Sequence, residues 1–375
     1  MNKDLILAVS PEMGSGGGCW WHRVAQISNY FNENPQFNTK VIETPVPIFD
    51  PNVLMRTKCV FIQRPFSHMP WIKNYKELQP KYENYSIIFD VDDQFTTFGN
   101  EPGLPPYHPK AMQPRDFNAI DRIIAEQLQY FDRGIVTTES LKKILVKKFE
   151  FLNVEIIPNA SSRSLYNMPR KDFFRERPLC SIPAAKQHNR EPMPLSPQMP
   201  AGQIGLRGDY DGAWVDWIVD KVTNNEIDFA QSAGHSYFFD CIAEKNQESP
   251  WFDVPNYIGY TCRIRPDIIF APLDDNFFNK CKSSLRATQA FALGAILIAS
   301  CFNDGPYEHI HPLCRVPSNP TKEQLNTIFN NVKSNWKEII EWQYDYINKH
   351  GEWLESIDHI NKYLTAFAPA QTKII

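Results

Sequence analysis

Short apolar runs alternate with longer amphipathic segments through the first half of this chain. Leu5 to Val9, Lys40 to Glu43, Cys59 to Ile62, Ser86 to Val91 and Gly134 to Thr137 have strand length, and the stretches between them are mostly long enough for helices. That alternation predicts a mainly parallel sheet covered on both faces, a Rossmann-like half. Val154 to Ile157 adds a further strand, which Pro158-Asn159 stops.

A basic and aromatic stretch, Arg163 to Arg177, then leads into a fresh apolar run, Leu179 to Ile182, and a loop rich in proline (Pro183, Pro192, Pro194, Pro197, Pro200). Trp214, Trp217, Ile218 and Val222 fall near helical spacing. Ile268 to Ala271 reads as a strand, Ser284 to Leu293 as a helix, and Ala295 to Ala299 as the next strand. Asn319 with Pro320 reads as the start of a helical region whose apolar face carries Leu325, Ile328, Phe329, Val332, Trp336, Ile339 and Ile340. A last helix is expected over 351–364. The organisation predicted is therefore an N-terminal Rossmann-like domain over 1–165, a second over 178–345, and a C-terminal helical segment over 346–375.

Composition fits that picture. A chain of 375 residues is comfortable for two domains, each with its own core. Its 42% hydrophobic and 22% charged residues are those of a globular protein. A net charge of −4 argues against coating nucleic acid through bulk electrostatics, and leaves room for a local basic groove. The eight cysteines contain no CxxC pair, so reduced thiols are expected rather than a zinc knuckle or a disulfide scaffold. The apolar run at Leu5 to Val9 is too short for a signal segment or a membrane span, which makes the cytoplasm the expected location and a membrane an unexpected partner.

The most informative stretch runs from Asp267 to Ser300: strand, polar loop, helix, a glycine stop at Gly294, strand. The loop ends at a helix N-terminus, where unpaired N–H groups and the helix dipole favour an anion. Lys282 and Arg286 add full charges there, an environment that suits a diphosphate; an ordinary βαβ unit with solvated Lys and Arg is the alternative. The run resembles the donor-binding core of retaining GT-B glycosyltransferases, and more closely that of phage-encoded, DNA-modifying ones with the pattern "aPL…FN.cKS.lK". The order of Gly134 to Leu141 and Val154 to Ala160 is similar to the end of the N-terminal domain in those enzymes. The resemblance implies an α/β GT-B fold, two Rossmann-like domains facing a central cleft with C-terminal helices crossing back. It implies transfer of a sugar from a nucleotide donor to a hydroxyl, with retained configuration. Where such enzymes carry a glutamate for the donor ribose, this chain has Gln289, and the partner position is Cys281. An amide still exchanges hydrogen bonds with hydroxyls but lacks the carboxylate's charge.

On that resemblance the donor contacts are Gly16, Gly17, Lys186, Arg190, Asn279, Lys282, Ser283, Arg286 and Gln289. Lys186 and Arg190 would neutralise the leaving diphosphate. Gly14 to Gly18 form a loop after the first strand, followed by Trp21 and Arg23, which with Asp93 are the expected acceptor contacts. His22 and Asp92 are the catalytic candidates. Asp90-x-Asp92 also spells a pair able to hold Mg or Mn, weighed below acceptor contact or structural capping, so no metal is expected. The acceptor expected first is a 5-hydroxymethyl pyrimidine in double-stranded phage DNA, met by Trp20, Trp21, Trp71 and the basic stretch Lys142 to Lys148. A surface glycan or protein acceptor, and a non-catalytic GT-B-like binding protein, are the alternatives.

Overall fold

The computed structural model describes residues 4–14, 18–65, 69–82, 85–92, 117–166, 168–182, 212–230, 254–273, 275 and 277–369. The expectations for Gly16, Gly17, Asp93, Lys186 and Arg190 lie outside the described residues.

Two parallel sheets form. The first contains β1 (Leu5–Val9), β2 (Lys40–Thr44), β3 (Thr57–Gln63), β4 (Ser86–Val91), β5 (Arg133–Val136) and β6 (Val154–Ile156), in the order β2-β1-β3-β4-β5-β6. The second contains β7 (Leu179–Ser181), β8 (Asp228–Phe229), β9 (Ile268–Ala271), β10 (Ile296–Ser300) and β11 (Arg315–Val316), in the order β11-β10-β9-β7-β8. The helices that matter to the site are α1 (Gln26–Glu33), α2 (Glu139–Phe149), α3 (Leu285–Ala292), α4 (Trp336–His350) and α5 (Ile357–Ala366).

Strand β1 shows why its run has no polar face. Leu7 and Val9 join one core with Ile72, Tyr75 and Ile124, while Ile6 and Ala8 join another with Val24, Ile27 and Phe31. The two-residue side-chain period sends alternate residues into opposite cores, so both parities must be apolar. The second core also contains Ile360, Tyr363, Ala366 and Phe367 of the C-terminal segment, which therefore returns from the second sheet to cover the first. Close packing leaves no room for a side chain at Gly134, where a Cβ would lie 2.2 Å from the Phe89 ring.

Two helix starts differ from the sequence expectation. The helix Lys322–Ser334 is capped by Thr321, not by Asn319 and Pro320. The Thr321 hydroxyl accepts the Gln324 N–H at 3.2 Å and the Gln324 amide oxygen accepts the Thr321 N–H at 2.9 Å, so two end groups are satisfied reciprocally. The last helix begins at Ile357, with Ser356 as its cap. Residues 351–355 instead run back along the start of the interdomain linker: Ser161 N–H donates to Glu352 O at 3.1 Å and Leu354 N–H to Ser161 O at 3.1 Å.

The basic linker is fixed by one buried carboxylate. Asp267 takes Lys171 Nζ at 2.6 Å, Arg175 Nη1 at 2.7 Å and the Leu179 N–H at 2.8 Å. Burial draws the Lys171 amine down to about 8, against the pull of Asp267.

Candidate active site

In the first sheet, β1 leads outward to β2 on one side while β3 continues the sheet on the other. The crevice between the carboxyl ends of β1 and β3 is therefore the switch point where open α/β sheets place ligands. Ser10 closes it by donating to Gln63 Oε1 at 2.5 Å, and the Gln63 Nε2 donor is buried without a hydrogen-bond partner. Next in the chain, Arg64 adopts φ of 48° in the left-handed region, an uncommon and strained conformation for a residue with a side chain. Its guanidinium gathers this edge: Nε donates to Asp92 Oδ1 at 2.7 Å, Nη1 to Glu12 at 2.9 Å, and Nη2 to the Cys19 sulfur. Burial alone would raise the Asp92 carboxyl. Arg64, with the Cys19 thiol, holds it below its ordinary value and so ionised. Sequence reasoning missed Arg64, whose only signal was a cation placed directly after an apolar strand and before Pro65.

The helix behind the glycine loop begins at Gly18–Trp20, widens into a π turn over Trp21–Ala25 and continues as α1. Such a turn alters the helical phase and often marks functional positions. Here it turns Arg23 inward. Arg23 and Asp90 are each 0% exposed, joined by Nη2–Oδ1 at 2.5 Å and Nε–Oδ1 and Nε–Oδ2 at 3.1 Å. Arg23 Nη1 donates to Ile157 O at 2.8 Å and reaches Asn159 Oδ1 at 3.3 Å, and the guanidinium lies 6.0 Å from the Tyr363 ring centre. Arg23 thus ties α1 to β4, to the exit of β6 and to the returning C-terminal helix. It presents no face to an acceptor, in contrast to the sequence expectation. Burial raises the Asp90 carboxyl and Arg23 pulls it back.

The neighbouring His22 is buried at 6% exposure, and desolvation brings its pKa down to about 4. It is neutral near pH 7. Its Nδ1 lies 3.2 Å from Ala160 O; a carbonyl only accepts, so Nδ1 carries the proton and Nε2 keeps a lone pair. Trp21 is half-buried, and its indole N–H has no hydrogen-bond partner. Of the tryptophans expected with it at a DNA acceptor, Trp20 donates to Glu43 at 3.1 Å and Trp71 packs edge-on against Tyr75. With Asp90 held by Arg23 and Asp92 by Arg64, the Asp90-x-Asp92 pair is committed to guanidinium partners. Among the described residues no group of three His, Cys, Asp or Glu is placed to hold a metal ion.

Across the cleft, the loop after β9 leads to α3. Cys281, read in the sequence as part of the donor segment, is fully buried in the core of the first domain, and its carbonyl accepts the Thr138 hydroxyl at 3.2 Å. Asn159 Nδ2 donates to Ser283 Oγ at 3.1 Å. These bonds hold the loop against the first domain. Beside them lies a cavity of about 290 Å3, lined from the first domain by Thr138, Glu139, Ser140 and Lys143 and from the second by Lys280, Lys282, Ser283, Ser284 and His309. Two helix N-termini border it, those of α2 and α3, so two positive dipole ends meet there with Lys143, Lys280 and Lys282, of which Lys280 is paired with Asp275 at 3.0 Å, beside the carboxylates Glu139, Asp304 and Glu352. Burial also brings His309 down to about 4, leaving a neutral ring at the wall.

Of the donor residues expected from sequence, Lys282 and Ser283 line this cavity. Arg286 and Gln289 lie further along α3, outside its lining, and the Asn279 side chain is buried at 0% exposure. Sequence reasoning placed Lys143 in the DNA-contacting stretch Lys142 to Lys148 rather than here and missed His309 and Glu352; the three come from separate segments and meet only in the folded chain.

No protein-family model matches the sequence, and no curated protein matches it. Similar solved structures exist. A glycosyltransferase from Rickettsia africae ESF-5 superposes with a TM-score of 0.57 at 14% identity, covering 98% of both chains. HepE of Anabaena, solved with UDP and glucose, gives a TM-score of 0.57 at 10% identity over 98% of this chain and 100% of its own. TarM of S. aureus gives 0.53 at 14% identity over 84% of this chain, which spans 55% of TarM. Two parallel Rossmann-like sheets, a cleft between them and a C-terminal helix returning to the first domain give this chain the GT-B fold of glycosyltransferases.

Proposed function

We propose that this protein is a glycosyltransferase whose donor is a nucleoside-diphosphate sugar, in the first instance a UDP-sugar. The observation that carries the reading is the interdomain cavity, where two helix N-termini, Lys143, Lys280 and Lys282 offer a diphosphate both N–H donors and full charges. The UDP and glucose in the HepE structure make uridine the first base to try. Lys186 and Arg190 are proposed to complete the neutralisation of the leaving diphosphate, and Gly16 and Gly17 to close over the donor.

The acceptor hydroxyl is proposed to enter over the carboxyl edge of the first sheet. Trp21, whose buried indole N–H has no hydrogen-bond partner, is proposed to contact the acceptor there beside Asp92, an ionised carboxylate. His22, neutral with a lone pair on Nε2, is in the form able to accept the hydroxyl's hydrogen bond. Transfer with retained configuration is proposed with it. For the acceptor class, 5-hydroxymethyl pyrimidine DNA is tried beside glycan and protein hydroxyls.

The experiment is incubation of the protein with radiolabelled UDP-sugars and each acceptor class. Label in DNA, glycan or protein identifies the acceptor. UDP release without transfer still supports donor use, and failure to bind any UDP-sugar contradicts the donor assignment.

A further inference from the structure

The donor cavity contains a carboxylate that the cationic reading does not use. Glu352 lines it together with Lys282 and Ser283, yet it comes from neither domain's sheet-helix framework. It sits on the segment by which the chain crosses back between domains, and that segment is firmly held. Gly351 ends α4 where a Cβ would lie 2.3 Å from Ile347 O, and the Trp353 indole donates to that same carbonyl at 3.2 Å. The Glu352 carbonyl accepts the Ser161 N–H at 3.1 Å, fixing the residue to the first domain, while its Oε2 accepts the Ser284 hydroxyl at 3.0 Å at the start of α3 in the second. One residue thus bonds both halves and aims its carboxyl into the space between them.

We propose, on the donor reading above, that Glu352 is a residue of the donor pocket that meets the diphosphate as a neutral carboxylic acid, so that binding of a nucleotide sugar draws a proton from solvent onto it. An ionised carboxylate confined with a diphosphate in about 290 Å3 repels it. The protonated acid removes the repulsion and supplies an O–H donor to a phosphate or sugar oxygen. Burial already raises this carboxyl to about 7, with the Ser284 bond and the Lys362 charge opposing. The groups facing it are Ser284 from α3; Lys280 and Lys282 from the loop before α3; Glu139 and Lys143 from α2; Asp304 and His309 from the segment after β10; Tyr346 from α4; and Lys362 from α5. An added anion pushes the carboxyl further up, and mass balance requires one proton from bulk for each Glu352 converted.

Calorimetry of UDP-glucose and UDP-N-acetylglucosamine binding at pH 8, in Hepes and in Tris, reads that proton. Both ligands are phosphodiesters without a group titrating near neutrality. The wild type is expected to take up between about half and one proton per ligand bound, and to lose roughly tenfold in affinity for each pH unit well above the free carboxyl's pKa. Glu352→Gln, checked for native circular dichroism, is expected to bind with no buffer dependence and a flat pH profile. Ser284→Ala, which removes a bond that lowers the carboxyl, is expected to move the break in the profile to higher pH. Uptake that persists in Glu352→Gln, or wild-type binding with no uptake, overturns the role of Glu352 while leaving the donor site intact. Absence of binding by the wild type to either ligand overturns the donor reading and this inference with it.

Discussion

Arg23 and Lys282 are both cations, but their surroundings assign them opposite work. Arg23 is enclosed with Asp90, so replacing it strands a buried carboxylate. Arg23→Met is expected to cost about 3–5 kcal/mol in urea unfolding, with Arg23→Lys losing less because it keeps the charge but not the fork. A loss under about 1 kcal/mol would show that the pair contributes little. Lys282 lines the open cavity, and removing one charge-assisted bond to a phosphate costs about 1.5–3 kcal/mol. Lys282→Ala is therefore expected to weaken UDP-sugar binding about 10- to 100-fold in calorimetry with little change in stability. In the sequence both are simply cations; in the fold Arg23 lies in a π turn enclosed against Asp90, whereas Lys282 lines the cavity.

At the scale of elements, α3 is stopped where the sequence places the stop. Gly294 adopts φ of 67°, and a Cβ there would lie 2.9 Å from the Lys171 Cβ. Gly294→Ala is expected to destabilise the protein by about 1–3 kcal/mol, measurable as a lower denaturation midpoint. Strands were legible because doubly buried runs such as Ile268 to Ala271 have no polar interruption, and the α3 segment was legible from its polar loop, apolar periodicity and glycine. The crossing segment was not. Residues 351–355 are held by backbone bonds to Ser161, nearly two hundred positions earlier, and nothing local distinguishes them from a helix start. The same limit applies to the cavity: Lys282 and Ser283 carry a local signal, whereas Lys143, His309 and Glu352 acquire their role by convergence.

Among the described residues, directional links between the halves include Thr138 with Cys281, Asn159 with Ser283, and Glu352 with Ser284. Its buried titratable groups also set its pH response. Burial holds His22 and His309 at about 4 and His359 at about 3, from an ordinary 6.5. The unfolded chain therefore binds more protons at these three sites below pH 6.5, and their stabilising contribution is lost as pH falls through that window toward 4. Glu352, raised from 4.5 to about 7, works the other way between those values, as do the raised Asp90 and Glu43 carboxyls, whereas the lowered His311 and Asp92 act with the three histidines. Stability measured by urea unfolding is expected to fall steadily from pH 6.5 to pH 4.5; a rise on acidification would contradict the buried neutral histidines. The central claim is that the cleft between the sheets binds and uses a nucleotide sugar. It is tested most directly by following UDP formation from a panel of UDP-sugars by the wild type and Lys282→Ala. UDP released from at least one donor by the wild type, and reduced tenfold or more at subsaturating donor by the substitution, is the predicted result; no UDP from any donor, or release indifferent to Lys282, would contradict it.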